Sequence, residues 1–196
     1  MNRPGSVAST LASWTTLLIL LVSCLPIPVL GDSPAVITLD PGTPVRIEKL
    51  ADSLDLLEDR VGDLDVKAVG TAPVDARFIS ARLESTNIGF STAAWWVRFR
   101  VNNPGDASRL VYLRQDYPLI DSLDLYEPTV EGDWRRHSTG DRKPFSSRDV
   151  AHKDFLFPLT LPAHSETTFY LRFASQGPVD INLSLLDSTV LMGDLS

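Results

Sequence analysis

Seven residues near the middle of the chain, Trp95-Trp96-Val97-Arg98-Phe99-Arg100-Val101, alternate between apolar and polar so regularly that an extended strand is the conformation that uses them. Successive strand side chains point to opposite faces. Trp95, Val97, Phe99 and Val101 therefore predict a core-facing row, and Trp96, Arg98 and Arg100 an outer row that is polar apart from one tryptophan. The period of two recurs where Leu123 and Leu125 interleave with Asp124 and Tyr126, and where Phe169, Leu171 and Phe173 interleave with Tyr170 and Arg172. It returns where Val179, Ile181, Leu183 and Leu185 interleave with Asp180, Asn182 and Ser184. Val45 and Ile47 against Arg46 and Glu48 make a shorter first strand.

Turn residues punctuate these runs. Asp40-Pro41-Gly42-Thr43 and Asn103-Pro104-Gly105-Asp106 each place Pro and Gly at the two central positions of a type II turn, where Pro presets φ and Gly accepts a positive one. The second turn predicts residues 109–114 as a return strand. Glu131-Gly132-Asp133 predicts a hairpin joining the Leu123 strand to residues 134–138. Pro162-Ala163-His164-Ser165-Glu166 predicts another, between residues 155–161 and the strand of Phe169. Many short strands joined by turns specify an all-β sandwich or barrel. One helix is predicted, over residues 53–61: Leu54, Leu57 and Val61 fall at helical spacing, Asp52 can cap, and Gly62 can terminate.

The N-terminus has a different character. Residues 1–31 carry a single charge, Arg3, followed by an uncharged stretch containing Leu17-Leu18-Ile19-Leu20-Leu21-Val22. This is the layout of a secretory signal, with cleavage expected after Gly31. Leu21-Val22-Ser23-Cys24 also resembles a lipobox, in which Cys24 would become a lipidated terminus. A spanning anchor over residues 11–30 fits less well, because two Thr, two Ser, Pro26 and Pro28 dilute the stretch and no basic cluster follows. Export follows from either processing route. The expected organisation is a signal sequence over 1–31, a periplasmic sandwich over 32–188 and a C-terminal connection over 189–196. Cys24 is the only cysteine, so cleavage at Gly31 leaves no disulfide to support the fold. Cleavage also removes Arg3 and no acid, moving the net charge from −7 to −8. An acidic domain of this kind is a poor partner for nucleic acid or an anionic membrane surface.

Several local motifs together resemble a known bacterial ectodomain. They are Asn87-Ile88-Gly89-Phe90-Ser91, Trp96-Val97-Arg98-Phe99, Asn103-Pro104, Tyr117-Pro118-Leu119-Ile120-Asp121 and Asp124-Leu125-Tyr126. Thr139-Gly140-Asp141, Pro144-Phe145, Arg148, His152, Phe155-Leu156-Phe157-Pro158-Leu159 and Tyr170-Leu171-Arg172 continue the series. Over about residues 37–186 the chain resembles the type 2 extracellular domain of seven-transmembrane receptors with diverse intracellular signalling modules (7TMR-DISM). The resemblance implies a jelly-roll sandwich related to carbohydrate-binding modules, outside the inner membrane and ahead of seven helices and a histidine kinase or diguanylate cyclase output. The sequence departs from that layout by stopping at Ser196 with no transmembrane bundle, so a receptor fragment or a freestanding sensor is expected. Lys153 also stands where the family often has Arg, and a lysine lacks the bidentate fork.

The candidate ligand residues are Trp96, Arg98 and Arg172, which like Tyr170 are predicted on outward faces, with Asp121, Arg148 and His152 on connections or strand ends. A flat aromatic ring stacks on the apolar face of a sugar while Arg, Asp and His bond its hydroxyls. A carboxylate ligand would use the same arginines as forks. The competing reading is structural, with Trp96 partly covered and Arg98 paired to Asp121 or Asp124. A different functional class is a protein interaction module, in which the same face pairs a homodimer or a second receptor ectodomain. Enzymatic activity is not expected: no Gly-x-Ser-x-Gly or His-Glu-x-x-His occurs, and Asp121 and Asp124 have no reason to converge as a glycosidase pair. No cofactor or metal is expected, and His137 and His164 read as solvated. Asn182-Leu183-Ser184 matches a glycosylation sequon but reads as the polar face of a strand.

Overall fold

The alternating runs fold into two packed sheets. A computed structural model describes residues 35–82 and 85–194. Gly31, Cys24 and the rest of the leader lie outside the described residues. In chain order the strands are β1 (Ile37–Thr38), β2 (Arg46–Ile47), β3 (Asp55–Asp59), β4 (Ile79–Ser80), β5 (Asn87–Phe90), β6 (Ala94–Asn103) and β7 (Arg109–Gln115). They continue as β8 (Ser122–Pro128), β9 (Trp134–Thr139), β10 (Phe155–Leu161), β11 (Ser165–Ala174), β12 (Pro178–Asp180) and β13 (Leu183–Asp187). Two α-helices among the described residues, α1 (Val66–Val69) and α2 (Ser188–Asp194), complete the fold.

The larger sheet has the order β4-β3-β6-β11-β8-β9, with β1 parallel to β6, and the smaller has the order β10-β7-β13-β2. β5 and β12 form a separate pair. Val97, Phe99, Val101, Leu123, Leu125, Phe169, Leu171 and Phe173 of the first sheet meet Val111, Leu113, Phe155, Phe157, Leu159, Leu183 and Leu185 of the second in one buried core. Phe99 and Phe169, paired across β6 and β11, stack with ring centres 5.2 Å apart. The protein is an all-β, jelly-roll-like sandwich, and the inward rows read from the alternation are the rows that form its core.

Four local expectations are corrected by the pairing. Residues 53–61 are not a helix: a 3-10 turn at Ala51–Ser53 leads into β3, in which Leu56 faces the main core while Leu57 is buried on the opposite face. A strand covered on both faces shows a continuous apolar run, which mimics helical spacing over so short a window. Gly62 adopts φ +77 in the bend that follows β3, whose last residue is Asp59.

The second correction concerns the turn after β6. Gly42 adopts φ +78 as a type II turn requires, whereas Gly105 is absent from the positive-φ glycines. The Asn103 side chain organises this corner instead, donating to the carbonyls of Ala107, Leu161 and Pro162 at 2.9–3.2 Å and accepting from the Gly105 amide. β7 consequently leaves for the other sheet rather than returning beside β6. Third, β10 pairs with β7 and β11 with β6 and β8, so residues 162–164 cross between sheets and make no hairpin. Fourth, the run from Val179 to Leu185 keeps its inward face but breaks into β12 and β13, which belong to different sheets. The hairpin of β8 and β9 forms as expected, closed by Thr129, Gly132 and Asp133.

α2 follows β13 directly, and Leu191 packs on Leu156 and Leu186. Asp187 fastens this junction. Its Oδ1 accepts from the amides of Thr189 and Val190 and from the Thr189 hydroxyl, while Oδ2 accepts from the Val45 amide before β2. Burial raises the affinity of this carboxyl for its proton, but the bonds from Thr189, Val190 and Val45 outweigh that effect and the net direction is down. A folded-state carboxyl held below its unfolded value of 3.8 adds stability above that pH and loses it as pH falls further. Asp187→Ala is accordingly expected to cost about 1 kcal/mol at pH 7, as for the loss of a helix N-cap. The difference from wild type should shrink when urea melts are repeated at progressively lower pH below 4. An undiminished difference at low pH would argue against the carboxylate cap.

Candidate ligand site

The strands of the larger sheet align their outward side chains in rows. Across β3, β6, β11, β8 and β9 one row reads Leu57, Trp96, Arg172, Asp124 and Ser138, and the adjacent row reads Asp55, Arg98, Tyr170, Tyr126 and Arg136. Three of the six candidate residues, Trp96, Arg98 and Arg172, thus point outward as the alternation implies, and the pairing of β6 with β11 brings them together. Their surroundings differ from the expectation.

Trp96 is fully buried, at 0 % exposure, and offers no ring face to solvent. Residues 60–78, between β3 and β4, fold back over the rows as a strap. Val66 and Val69 from α1 bury with Leu57, Trp96 and Tyr170, and Leu64, Val74, Phe78, Tyr126 and Trp134 ring the cluster. Asp65 caps α1 by accepting from the Ala68 amide at 2.8 Å. Asp59 turns the chain into the strap, accepting from the Gly62 amide at 2.8 Å, the Leu64 amide at 3.1 Å and Trp96 Nε1 at 3.4 Å. Tyr126 lies 5.4 Å from Trp96 between ring centres, and Trp134 meets Tyr170 edge-on at 5.3 Å. Burial, followed by the nearby Asp124 carboxylate, pushes the Tyr126 hydroxyl above its usual range. Burial does the same for Tyr170.

Both arginines hold the strap rather than open solvent. Arg98, only 14 % exposed, donates through Nε and Nη2 to Asp55 Oδ2 at 3.1 and 2.6 Å and through Nη1 to Asp75 of the strap, with its guanidinium 4.5 Å from the Phe78 ring centre. The expected partners Asp121 and Asp124 are thus replaced by Asp55 and Asp75. Asp55 is 2 % exposed, and its Oδ1 has no hydrogen-bond partner among the described residues. Arg172 donates to the Gly62 carbonyl at 3.0 Å. Asp124 bonds Arg136 at 2.9 Å and the Ser138 hydroxyl, and this bond is the main reason the Arg136 guanidinium holds its proton more tightly than usual.

The remaining candidates lie elsewhere. Asp121 accepts from the Gln176 amide at 2.8 Å and pairs with Arg142 at 3.3 Å, tying together loops at one end of the sandwich. Gly140 makes that approach possible, since a Cβ there would meet the Asp121 carbonyl oxygen at 2.1 Å. Arg148 donates to the carbonyls of His152, Lys153 and Asp154 and lies over the Phe145 and Phe155 rings. Its Nη1 is therefore engaged by its own loop. His152 accepts from the Asp154 amide at 3.0 Å. His137, expected in solvent, is half-buried, with Nδ1 2.7 Å from Asp149 and Nε2 3.4 Å from Glu127. His164 is exposed beside Asp106.

A concavity opens beside the strap. A cleft of about 560 Å³ is walled by Leu56, Leu57, Glu58 and Asp59 of β3, by Arg60, Val61, Asp63, Leu64 and Arg77 of the strap, and by Ile79 and Trp95. β4 covers only Asp55 and Leu56 of β3, so the cleft runs along the edge that β4 leaves uncovered. Arg77 reaches the Glu58 carbonyl there at 3.4 Å, and Arg60 pairs with Glu58 at 2.8 Å. Apolar walls carrying a few carboxylates and guanidinium groups are the usual make-up of a small-molecule site. None of the six residues chosen from sequence lines this cleft. Reading residues 53–61 as a helix hid it, and the one available signal was the mixture of charges and single apolar residues from Arg60 to Ile79.

A model of the family described as 7TMR-DISM extracellular 2 matches residues 51–187. That interval begins at the 3-10 turn before β3 and ends at Asp187, so it contains the strap, the cleft and the cap of α2. No curated protein matches the chain.

Proposed function

Since the chain belongs to the 7TMR-DISM extracellular 2 family, the extracellular domains of membrane receptors, we propose that it is a periplasmic sensory domain that binds a small polar ligand, carbohydrate-like in character, in the cleft beside β3. The ligand would bias a membrane-bound output such as a histidine kinase or diguanylate cyclase. The observation that carries this reading is the composition of the cleft: one volume is bounded by the rigid sandwich on one side and by the strap on the other. Its size suits a mono- or disaccharide. Val61, Ile79 and Trp95 offer apolar surface to a ring, and Arg60, Asp63 and Arg77 offer groups for hydroxyls. A ligand touching both walls has a different affinity for each arrangement of the strap, and such a difference is what shifts a receptor between states.

Calorimetry against a panel of mono- and disaccharides and polar metabolites tests the reading. A binder should be found, and replacing Arg60 and Asp63 together by Ala should weaken it about tenfold, equivalent to roughly 1.4 kcal/mol, without moving the unfolding midpoint. An absence of any binder, or a binder indifferent to the double substitution, defeats the proposal.

A further inference from the structure

We infer that the strap is a gate, and that beneath it lies a second, concealed part of the ligand site: the aromatic floor of Trp96, Tyr126, Tyr170 and Trp134. This inference rests on the ligand-sensing reading above and extends it. Three observations carry it.

The first is the composition of the covered surface. Outward rows of a solvated sheet are polar, yet here four aromatic side chains sit among Asp55, Arg98, Asp124 and Arg172. Rings interleaved with arginines and carboxylates match a pyranose, whose faces are apolar and whose rim carries hydroxyls. The second is the way the cover is held. Only Val66 and Val69 of the strap are buried, while Leu64, Val74 and Phe78 are half-buried. The rest of the attachment is polar: Asp75 to Arg98, the Gly62 carbonyl to Arg172, Arg77 to the Glu58 carbonyl, and Lys67 to Asp133 at 3.3 Å. Such contacts exchange readily for water or for ligand hydroxyls. The third is Asp55 Oδ1, a buried acceptor with no partner among the described residues. An unfilled acceptor of this kind is costly in a closed state, and a ligand donor reaching the floor beside Arg98 would satisfy it.

Cleft and floor adjoin, because Leu57, which lines the cleft, pairs across the strands with Trp96 in the covered cluster. Displacing the strap therefore extends the cleft onto the rings. Asp75 is the latch, since it is the strap's carboxylate on Arg98 and leaves Arg98 still paired to Asp55 when removed.

Hydrogen exchange by mass spectrometry on the whole chain, with cellobiose, maltose and chitobiose as probes, tests the gate. Strap amides over residues 63–78 should exchange at least 100-fold faster than those of β6 and β11. Asp75→Asn should accelerate strap exchange about tenfold and leave β6 unchanged. A bound disaccharide should bind Asp75→Asn about tenfold more tightly, because a closed gate lowers apparent affinity by the fraction open. Trp134→Ala should weaken binding to a similar extent, with unchanged β6 exchange as the folding control. Strap amides as protected as β6 would overturn the gate. Disaccharide binding unaffected by both Asp75→Asn and Trp134→Ala would overturn the concealed floor while leaving the cleft reading intact. Absence of binding by wild type and Asp75→Asn alike would remove the carbohydrate reading together with its extension.

Discussion

Trp96→Ala is expected to lower the unfolding free energy by about 3–5 kcal/mol, the range for deleting a large aromatic side chain from a packed interior. Trp96 has no exposed surface and sits between β6 and the strap, against Leu57, Val66, Val69 and Tyr170. Truncation removes the Tyr126 contact and the indole donor to Asp59 Oδ2, and it opens a cavity that two short valines cannot refill. An outward-facing stacking residue in solvent would behave differently: substitution there changes stability by no more than about 0.5 kcal/mol. Urea-induced unfolding monitored by far-UV circular dichroism separates the two cases. A loss below 1 kcal/mol would mean that the strap does not pack on Trp96 in solution, and the burial described above would have to be abandoned.

Arg98→Met is the second large effect, expected at about 3–5 kcal/mol, because breaking a buried ion pair from one side strands the other charge. Asp55 is the charge left behind. Among the described residues one of its oxygens has no partner already, and the other accepts twice from Arg98, so the substitution leaves a buried carboxylate without its bonds. Replacing both partners by apolar residues of similar size, Arg98→Met with Asp55→Leu, should recover most of the loss. The coupling energy from the full double-mutant cycle reports the interaction directly. Additive single effects, with no recovery in the double variant, would show that the pair is not the buried unit described here. The Asp75 contact is a smaller matter, since that carboxylate is about half exposed and solvent screens it.

Much of the sandwich was legible in advance. Alternation at Val97, Phe99 and Val101, at Leu123 and Leu125, and at Phe169, Leu171 and Phe173 identified core residues correctly, because the pleat is a local property and each strand carries its own record of which face is buried. The β8–β9 hairpin was legible for a related reason: its turn residues and both strands lie within one short window. Partner choice was not. β7 follows β6 and β11 follows β10 with turn-like residues between them, yet each successor enters the opposite sheet. An Asn-Pro-Gly corner serves a hairpin or a crossing equally well until Asn103 finds the carbonyls of Leu161 and Pro162, nearly sixty residues away.

The candidate site divides along the same line. That Trp96, Arg98 and Arg172 point outward follows from the period of two in β6 and β11, and that they share one face follows from the pairing of those two strands. Whether that face meets water depends on residues 60–78, whose spacing carries no period and whose apolar members, Leu64, Val66, Val69 and Val74, acquire meaning only when Trp96 and Tyr170 lie beneath them. Local sequence thus settled the direction of each side chain, because backbone geometry sets direction. Tertiary structure settled exposure, pairing and the position of the cleft, because these depend on contacts between segments far apart in the chain.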